Sequence, residues 1–138
     1  MKNFTPKKKG EIIEQFVIFE LIKRGYSVLR PIGDNLPFDI AILVNGQFKK
    51  IQIKKARFSP YGNIKVPVHR RRLNMKGPYS KGYTLDEVDY FMAATSNLDK
   101  VFVIKNEITH KDSITLSFKS RTNSILAKEH ELDTFIFS

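Results

Sequence analysis

Three short segments of the chain carry polar residues whose types and spacing could hold a divalent metal beside a phosphate. Asp39 ends the tripeptide Pro37-Phe38-Asp39, and the later segment Gln52-Ile53-Lys54 brings an amide and an amine. Glu14 lies upstream, in a stretch typical of a helix. Carboxylate and amide oxygens suit hard cations, and such a cation can activate water for attack on a phosphodiester. The set therefore predicts a hydrolytic site that acts on nucleic acid.

Strand periodicity predicts that Asp39 and Gln52-Ile53-Lys54 lie on two adjacent strands. Gln52 and Lys54 share one face of their strand, opposite to the neighbouring isoleucines. Asp39 begins an otherwise apolar strand, and its charge needs a partner, which a cation and the nearby lysine would supply. Considered alone, Asp39 and Lys54 could instead form a structural ion pair, and Gln52 could be an ordinary sheet residue.

Metal-assisted hydrolysis gives each of these residues a role. Asp39 and Gln52 would supply oxygen ligands, joined by the Ile53 carbonyl and by Glu14, directly or through water. Lys54 would orient the nucleophile or help to deprotonate it, and would stabilise the charge that develops on the phosphate. The site thus combines a metal with one amine.

The helix and strands that must position these residues can be predicted from the residues that begin and end them. A helix is expected over residues 11–24, after Gly10 and closed by Gly25, and its apolar residues cover nearly the whole circumference. Such a helix packs between a sheet and another element, which could be a second subunit. Glu14 falls on the flank that faces the sheet, although Glu20 is an alternative for a buried acidic role.

Short strands are expected over residues 26–30, 38–44 and 48–54, and Asn45-Gly46 predicts that the last two form an antiparallel hairpin. A second hairpin is expected around the turn at residues 59–63. Residues 73–83 are predicted to be a loop, and Thr84 and Glu87 to form a capping box. Further strands are expected over residues 90–95, 101–104 and 113–118. The tail, residues 124–138, is ambiguous between helix and strand, and its apolar part, residues 132–137, would suit a subunit interface.

Positive charge is concentrated in one interval of the chain. The formal net charge is +10, yet no acidic residue lies between Asp39 and Asp86. A basic face of this kind favours a polyanion, although a solvated basic loop is the alternative interpretation. The preferred base-reading residues, on the second predicted hairpin, are Lys55, Arg57 and Lys65. The preferred phosphate contacts are Arg70, Arg71, Arg72 and Lys76.

Composition bears on disulfides, thiolate metal sites and membrane spans. The chain of 138 residues has no cysteine, which excludes disulfides and thiolate metal sites, and it has no apolar run long enough to cross a bilayer. We therefore expect one domain over residues 1–138, in the cytoplasm, with no membrane partner.

Four motifs in this order resemble the PD-(D/E)XK nuclease superfamily: Gly10-x-x-x-Glu14, Leu21-x-x-x-Gly25-Tyr26, Pro37-Phe38-Asp39 and Gln52-Ile53-Lys54. With the later apolar strands, the resemblance covers about residues 9–105. It implies an α/β, restriction-endonuclease-like domain, in which a mixed β-sheet with a central antiparallel hairpin is flanked by helices. It also implies cleavage of double-stranded DNA at Glu14, Asp39, Gln52 and Lys54 with Mg²⁺, for which Mn²⁺ is the alternative.

Gln52 departs from the common pattern of this superfamily, which has an acid at that place. The change removes a negative charge from the metal site and is compatible with a catalytically inactive DNA-binding relative. However, a small intron-encoded homing endonuclease branch carries Gln there, and its members act on long duplex targets as homo-oligomers. By this resemblance we expect a homing-type endonuclease that forms a dimer or tetramer. A Holliday-junction resolvase is the alternative enzyme.

Overall fold

The computed structural model of the protein describes residues 1–75, 77–107, 112–118 and 125–138, and for residues 71–74 and 77–81 it describes the backbone alone. These residues form the helix α1 (Pro6–Lys23), eleven strands and a short 3₁₀ helix, η1 (Ala127–His130). The strands are β1 (Val28–Leu29), β2 (Ile40–Val44), β3 (Gln47–Lys55), β4 (Arg57–Phe58), β5 (Ile64–Pro67), β6 (His69–Asn74), β7 (Gly77–Gly82), β8 (Tyr90–Ala94), β9 (Phe102–Lys105), β10 (Ser113–Ser117) and β11 (Ile125–Leu126). Neither helix in these ranges could cross a membrane, because neither is both long and apolar enough.

The main sheet has the strand order β1-β2-β3-β8-β9. Only the β3–β8 pair is parallel, so the sheet is mixed and the antiparallel β2–β3 hairpin lies within it, as predicted. Asn45 and Gly46 form the turn with φ angles of 51° and 79°. Both values lie in the left-handed region that two-residue hairpin turns need. The mixed α/β class is therefore confirmed, with a single α-helix in the described residues instead of several flanking helices.

Helix α1 begins at Pro6, so the prediction that it starts at Glu11 was wrong. The Thr5 hydroxyl caps the helix by accepting a 3.2 Å hydrogen bond from the Lys8 N–H. Proline suits the first helical turn, where its missing N–H costs nothing, so Gly10 lies inside the helix and does not start it. The predicted stop is right, because Gly25 follows the helix with a φ of 90°.

The chain passes from the main sheet into a second one at Ala56. This residue is buried between β3 and β4, and its N–H donates a 2.9 Å hydrogen bond to the Ala94 carbonyl. The second sheet has the order β11-β10-β5-β4 and contains the predicted second hairpin, β4–β5. The strand that carries the candidate site thus continues directly into the basic part of the chain.

Residues 73–83 do not form the predicted loop. Strands β6 and β7 pair as a two-stranded ribbon, residues 69–82, in which His69 lies opposite Gly82 and Asn74 opposite Gly77. Both strands of such a ribbon are edge strands, so Pro78 and the glycines are tolerated there. By contrast, the predicted capping box forms: the Glu87 carboxylate accepts from the Thr84 N–H at 2.9 Å, and the Thr84 hydroxyl accepts from the Glu87 N–H at 3.2 Å.

The core lies on both sides of strand β8, whose five residues are all buried. Tyr90 and Met92 face helix α1 and its buried residues, whereas Phe91 and Ala93 pack with the second sheet. The molecule therefore has three layers, in the order helix, main sheet and second sheet. This arrangement fixes strand β3, the neighbour of β8, from both faces.

The apolar tail packs on its own chain. The rings of Phe135 and Phe137 lie 5.5 and 5.2 Å from that of Tyr90, and the Tyr90 hydroxyl bonds to the main chain of Ser138. Of this tail, Ile136 remains 86% exposed. The tail is thus mostly intramolecular packing, and it offers a second subunit little apolar surface.

Candidate active site

Asp39 lies immediately before β2 and is fixed against strand β3. Its N–H donates to the Ile51 carbonyl at 2.9 Å, and one carboxylate oxygen accepts from the Ile53 N–H at 2.8 Å. Ile40 pairs with Ile51, and continuing this register by one residue places Asp39 opposite Gln52. Burial raises the pKa of Asp39 despite the Ile53 hydrogen bond, because the charged carboxylate loses its hydration.

Glu14 reaches the same site from the middle of helix α1. Burial raises the pKa of its carboxyl, and the charge of Asp39 raises it further. The Arg30 guanidinium binds the Glu14 carboxylate at 3.2 Å. Because the charge of Asp39 disfavours ionisation of Glu14, a positive charge nearby would stabilise both carboxylates. Glu20, the alternative, instead forms ion pairs at the end of the helix with Lys23 and Arg24.

Gln52 points to the same face of β3 as Lys54 and is half-buried. In the described part of the chain, its side-chain amide has no hydrogen-bond partner. It is not among the described buried polar atoms that lack a partner, so the amide is accessible to solvent. Its oxygen is therefore free to bind a ligand next to Asp39.

Lys54 is largely buried at the far end of the site. Its amine donates hydrogen bonds of 2.9 Å to the His69 carbonyl and 2.9 Å to the Tyr83 hydroxyl. Burial lowers the pKa of this amine to about 8, an effect that the Asp39 charge opposes. Among the salt bridges of the described residues there is none between Lys54 and Asp39, so the two do not form the structural ion pair considered above.

Several residues of this site were missed by sequence reasoning. Arg30 is the last residue of the first predicted strand and gave no signal by type or spacing, yet it binds Glu14. Tyr83 directly precedes the recognised capping box, but its contact with Lys54 depends on how the ribbon folds back. Asn106 is buried and donates to the main-chain carbonyls of Thr84 and Val88, which holds the turn after Tyr83.

The predicted DNA-contacting residues fall into three groups. Arg57 and Lys65 are exposed and lie opposite each other on β4 and β5, while Lys55, at the end of β3, is half-buried. Arg70 is only 13% exposed, because both oxygens of Glu87 bind its guanidinium at 2.9–3.0 Å. It is therefore not the exposed phosphate clamp that was expected. Arg71 and Arg72 belong to β6, but their side chains lie outside the described residues, as does all of Lys76.

Two open grooves lie on the surface, one at Glu14 and the other at two of the predicted DNA-contacting residues. One, of about 530 Å³, is lined by Lys8, Glu11, Ile12, Glu14, Gln15 and Arg30. The other, of about 610 Å³, is lined by Arg57, Lys65, Pro67, His69 and Ser113. His69 connects the second groove to the site, since its carbonyl also binds Lys54. A basic surface thus adjoins the acidic pair and the amine.

Comparisons with known proteins agree with this geometry. Among solved structures, the chain is similar to a bacterial homing endonuclease, I-Ssp6803I, with a TM-score of 0.78 and 26% sequence identity over 93% of this chain and 89% of that one. No curated protein matches the sequence. A family model described as PD-(D/E)XK endonuclease matches residues 4–133. Because this match spans nearly the whole chain, the protein belongs to the PD-(D/E)XK endonuclease family.

Proposed function

We propose that the protein is a magnesium-dependent endonuclease that cleaves duplex DNA at a specific sequence. The observation that carries this proposal is the meeting of Glu14, Asp39, Gln52 and Lys54 at one end of the β2–β3 hairpin. The set brings oxygen-bearing side chains and one amine together, which phosphodiester hydrolysis requires. The membership of the PD-(D/E)XK endonuclease family supports the reaction class, and the similarity to a homing endonuclease supports sequence-specific cleavage.

The residues present fit a hard divalent cation. The pKa values of Glu14 and Asp39 are raised, chiefly by burial, so a bound cation would relieve the cost of their charges. The Gln52 oxygen and the Ile53 carbonyl complete the proposed ligand set. In the described residues no group of three or more His, Cys, Asp or Glu side chains could hold a metal. The proposed site has only two carboxylates, because the amide of Gln52 stands where a third acid would complete such a group. Manganese accepts the same ligands and is the proposed substitute.

The residues of the chain would orient the groups at the site and stabilise the negative charge that develops during cleavage. Magnesium, when bound, would lower the pKa of a water and offset charge on the phosphate. The Ile53 N–H holds the Asp39 carboxylate in one orientation. Lys54 would donate hydrogen bonds to the phosphate or to the attacking water, and would stabilise the negative charge that develops. Its low-dielectric surroundings strengthen this interaction.

Duplex DNA would lie across the basic surface next to the site. We propose Arg57, Lys65 and Lys55 as contacts from the second sheet, with Arg71, Arg72 and Lys76 on the ribbon. Strands can enter the major groove, and arginine can bind guanine through two hydrogen bonds.

Cutting both DNA strands needs two copies of a single site, so we propose a homodimer or a tetramer. Helix α1 offers apolar surface for this contact, because Phe19 and Ile22 remain 60% and 58% exposed. The proposal assigns all of this to one domain over residues 1–138.

Nicking of supercoiled plasmid tests the proposal directly. Wild-type protein should convert the plasmid with magnesium and not with EDTA. Asp39→Asn and Lys54→Ala should each slow the reaction by about 100-fold or more. Lys128→Ala, which removes an exposed lysine of η1 away from the site and from helix α1, is the control and should cleave normally. Magnesium-dependent cleavage that survives both site substitutions would refute the site. Binding without any cleavage would identify an inactive relative, and preference for a four-way junction would identify a resolvase.

A further inference from the structure

The two ends of the ribbon enclose the amine of Lys54. His69 begins β6 and its carbonyl accepts one hydrogen bond from Lys54, while Tyr83 directly follows β7 and its hydroxyl accepts another. These two residues are 15 and 29 positions away from Lys54 along the chain. The amine is thus held by the base of the ribbon, and not by neighbours in its own sheet.

Tyr83 is itself fixed in place from two sides. Its ring packs edge-on against Phe91, with ring centroids 5.5 Å apart. The guanidinium of Arg70 lies 4.9 Å from the centre of the Tyr83 ring, and the amine of Lys54 lies 4.8 Å from it. Cations near the face of an aromatic ring are attracted by its quadrupole, so both contacts favour this position of the ring.

Arg70 in turn is anchored to the turn that follows Tyr83. Its guanidinium binds both oxygens of Glu87, and Glu87 also accepts from the Thr84 N–H. Both hydrogen bonds come from one nitrogen, Nη2, and they form a charge-assisted contact that ties Arg70 to Glu87. A continuous set of contacts therefore runs from Glu87 through Arg70 and Tyr83 to Lys54.

We propose that Tyr83 is a positioning residue for Lys54, and that the Arg70–Glu87 pair holds Tyr83 in place. The inference deepens the proposed function and rests on it, since Lys54 matters to a reaction only if the site cleaves DNA. A free lysine side chain samples many rotamers, whereas an amine held at two acceptors keeps its place beside the reacting phosphate. Tyr83 would thus act on the rate of cleavage and not on DNA affinity.

The Tyr83→Phe variant isolates this role. It keeps the ring, with its contacts to Phe91 and Arg70, and removes only the hydroxyl that binds Lys54. Tyr26→Phe is the matched control, because the Tyr26 hydroxyl has no hydrogen-bond partner among the residues that the structure describes.

The first measurement needs no catalysis. Proton–nitrogen correlation spectra of lysine ammonium groups, recorded on isotope-labelled protein in mildly acidic buffer, detect amines whose protons exchange slowly because they are hydrogen-bonded. The Lys54 signal is assigned by its absence from Lys54→Gln. Because the His69 carbonyl still accepts one hydrogen bond in Tyr83→Phe, the Lys54 protons should exchange with water faster there than in wild type and Tyr26→Phe. No signal in wild type, or equal exchange in Tyr83→Phe and wild type, would overturn the inference.

The second measurement separates rate from affinity. Single-turnover cleavage by Tyr83→Phe should be slower by about tenfold, the value of one hydrogen bond, while its Kd for the same DNA stays within about twofold. An unchanged rate, or a loss confined to affinity, would contradict the positioning role. If wild-type protein does not cleave, the proposed function fails, and the ammonium spectrum still decides whether Tyr83 restrains Lys54.

Discussion

The carboxylate of Asp39 accepts a 2.8 Å hydrogen bond from the backbone N–H of Ile53, the residue between Gln52 and Lys54. This bond ties an acid that precedes one strand to the main chain of the next, and it uses only one of the two carboxylate oxygens. The acid therefore keeps its orientation, and among the residues that the structure describes its second oxygen has no hydrogen-bond partner.

Asp39→Asn should separate metal binding from folding. The amide oxygen can still accept from the Ile53 N–H, and the substitution removes a buried charge whose pKa is raised. Without metal, the Tm of the variant should therefore equal or exceed that of wild type. Magnesium should raise the Tm of wild type only, because a ligand stabilises the state that binds it. Asp34→Asn, at an exposed position, is the control, and an equal magnesium response in Asp39→Asn would contradict the ligand assignment.

Gln52→Glu should make the protein depend more on metal. A third carboxylate near Glu14 and Asp39 adds like-charge repulsion, so the Tm in EDTA should fall. With magnesium, the added charge should tighten binding, and half of the Tm rise should occur at about a tenfold lower concentration. Gln47→Glu makes the same change at an exposed position of β3 and should not alter the magnesium dependence. Weaker magnesium binding by Gln52→Glu would show that residue 52 is not a ligand.

Arg57→Ala and Lys65→Ala should weaken DNA binding in a salt-dependent way. Each removes an exposed charge from the paired strands β4 and β5. If each contacts one phosphate, each substitution should reduce the slope of log K against log salt by about 1. Fluorescence anisotropy of a labelled duplex at several salt concentrations measures this slope. Lys23→Ala should leave it unchanged, and an unchanged slope in the other two variants would exclude them as phosphate contacts.

Asn106→Ala should destabilise the protein although it touches neither the acids nor Lys54. The Asn106 amide donates to the carbonyls of Val88 at 2.9 Å and Thr84 at 3.1 Å, and alanine would leave these carbonyls without that donor. The free energy of unfolding in urea should fall by about 1–3 kcal/mol. Asn97→Ala, at an exposed position, should change it by less than about 0.5 kcal/mol. Equal effects of the two substitutions would refute the structural role of Asn106.

Glu87→Gln should reduce the loss of stability in acid. The Thr84 N–H and the Arg70 guanidinium hold the pKa of Glu87 below its usual value. A depressed folded-state pKa stabilises the protein above the unfolded pKa, about 4.3, and this contribution is lost as the pH falls through the folded value. The fall in Tm below about pH 4 should therefore be shallower in the variant than in wild type. Glu129→Gln, at an exposed position, should follow wild type, and a parallel course of Glu87→Gln would contradict the prediction.

The parts of the fold that depend on short-range rules could be predicted from the sequence. Asn45-Gly46 determines a tight hairpin because both residues tolerate positive φ, and that hairpin fixes the register of β2 and β3. Alternation along β3 then separates Gln52 and Lys54 from the isoleucines. Helical periodicity likewise placed Glu14 on the flank of α1. The four residues of the proposed site could therefore be singled out from the sequence, and their roles stay a prediction.

The remaining parts depend on packing between distant segments. Arg70, Arg71 and Arg72 form one basic run in the sequence, but successive residues of a strand point to opposite faces, and Arg70 turns towards Glu87. Nothing local indicates that the base of the ribbon lies over Lys54. The start of helix α1 was missed for another reason, since Gly10 was expected to precede the helix although Pro6 suits a first helical turn.

The unbroken run from β3 through the buried Ala56 into β4 has a geometric consequence for a DNA complex. Lys54 and Arg57 are three residues apart, so their α-carbons are separated by at most about 10 Å. DNA rises by about 3.4 Å per base pair, so this tether spans about three base pairs. The short chain segment would therefore fix the distance between the bond that is cut, beside Lys54, and the DNA group that Arg57 contacts. One residue inserted at Ala56 would increase the separation of Lys54 and Arg57 by about the rise of one base pair, and it would turn Arg57 to the opposite face.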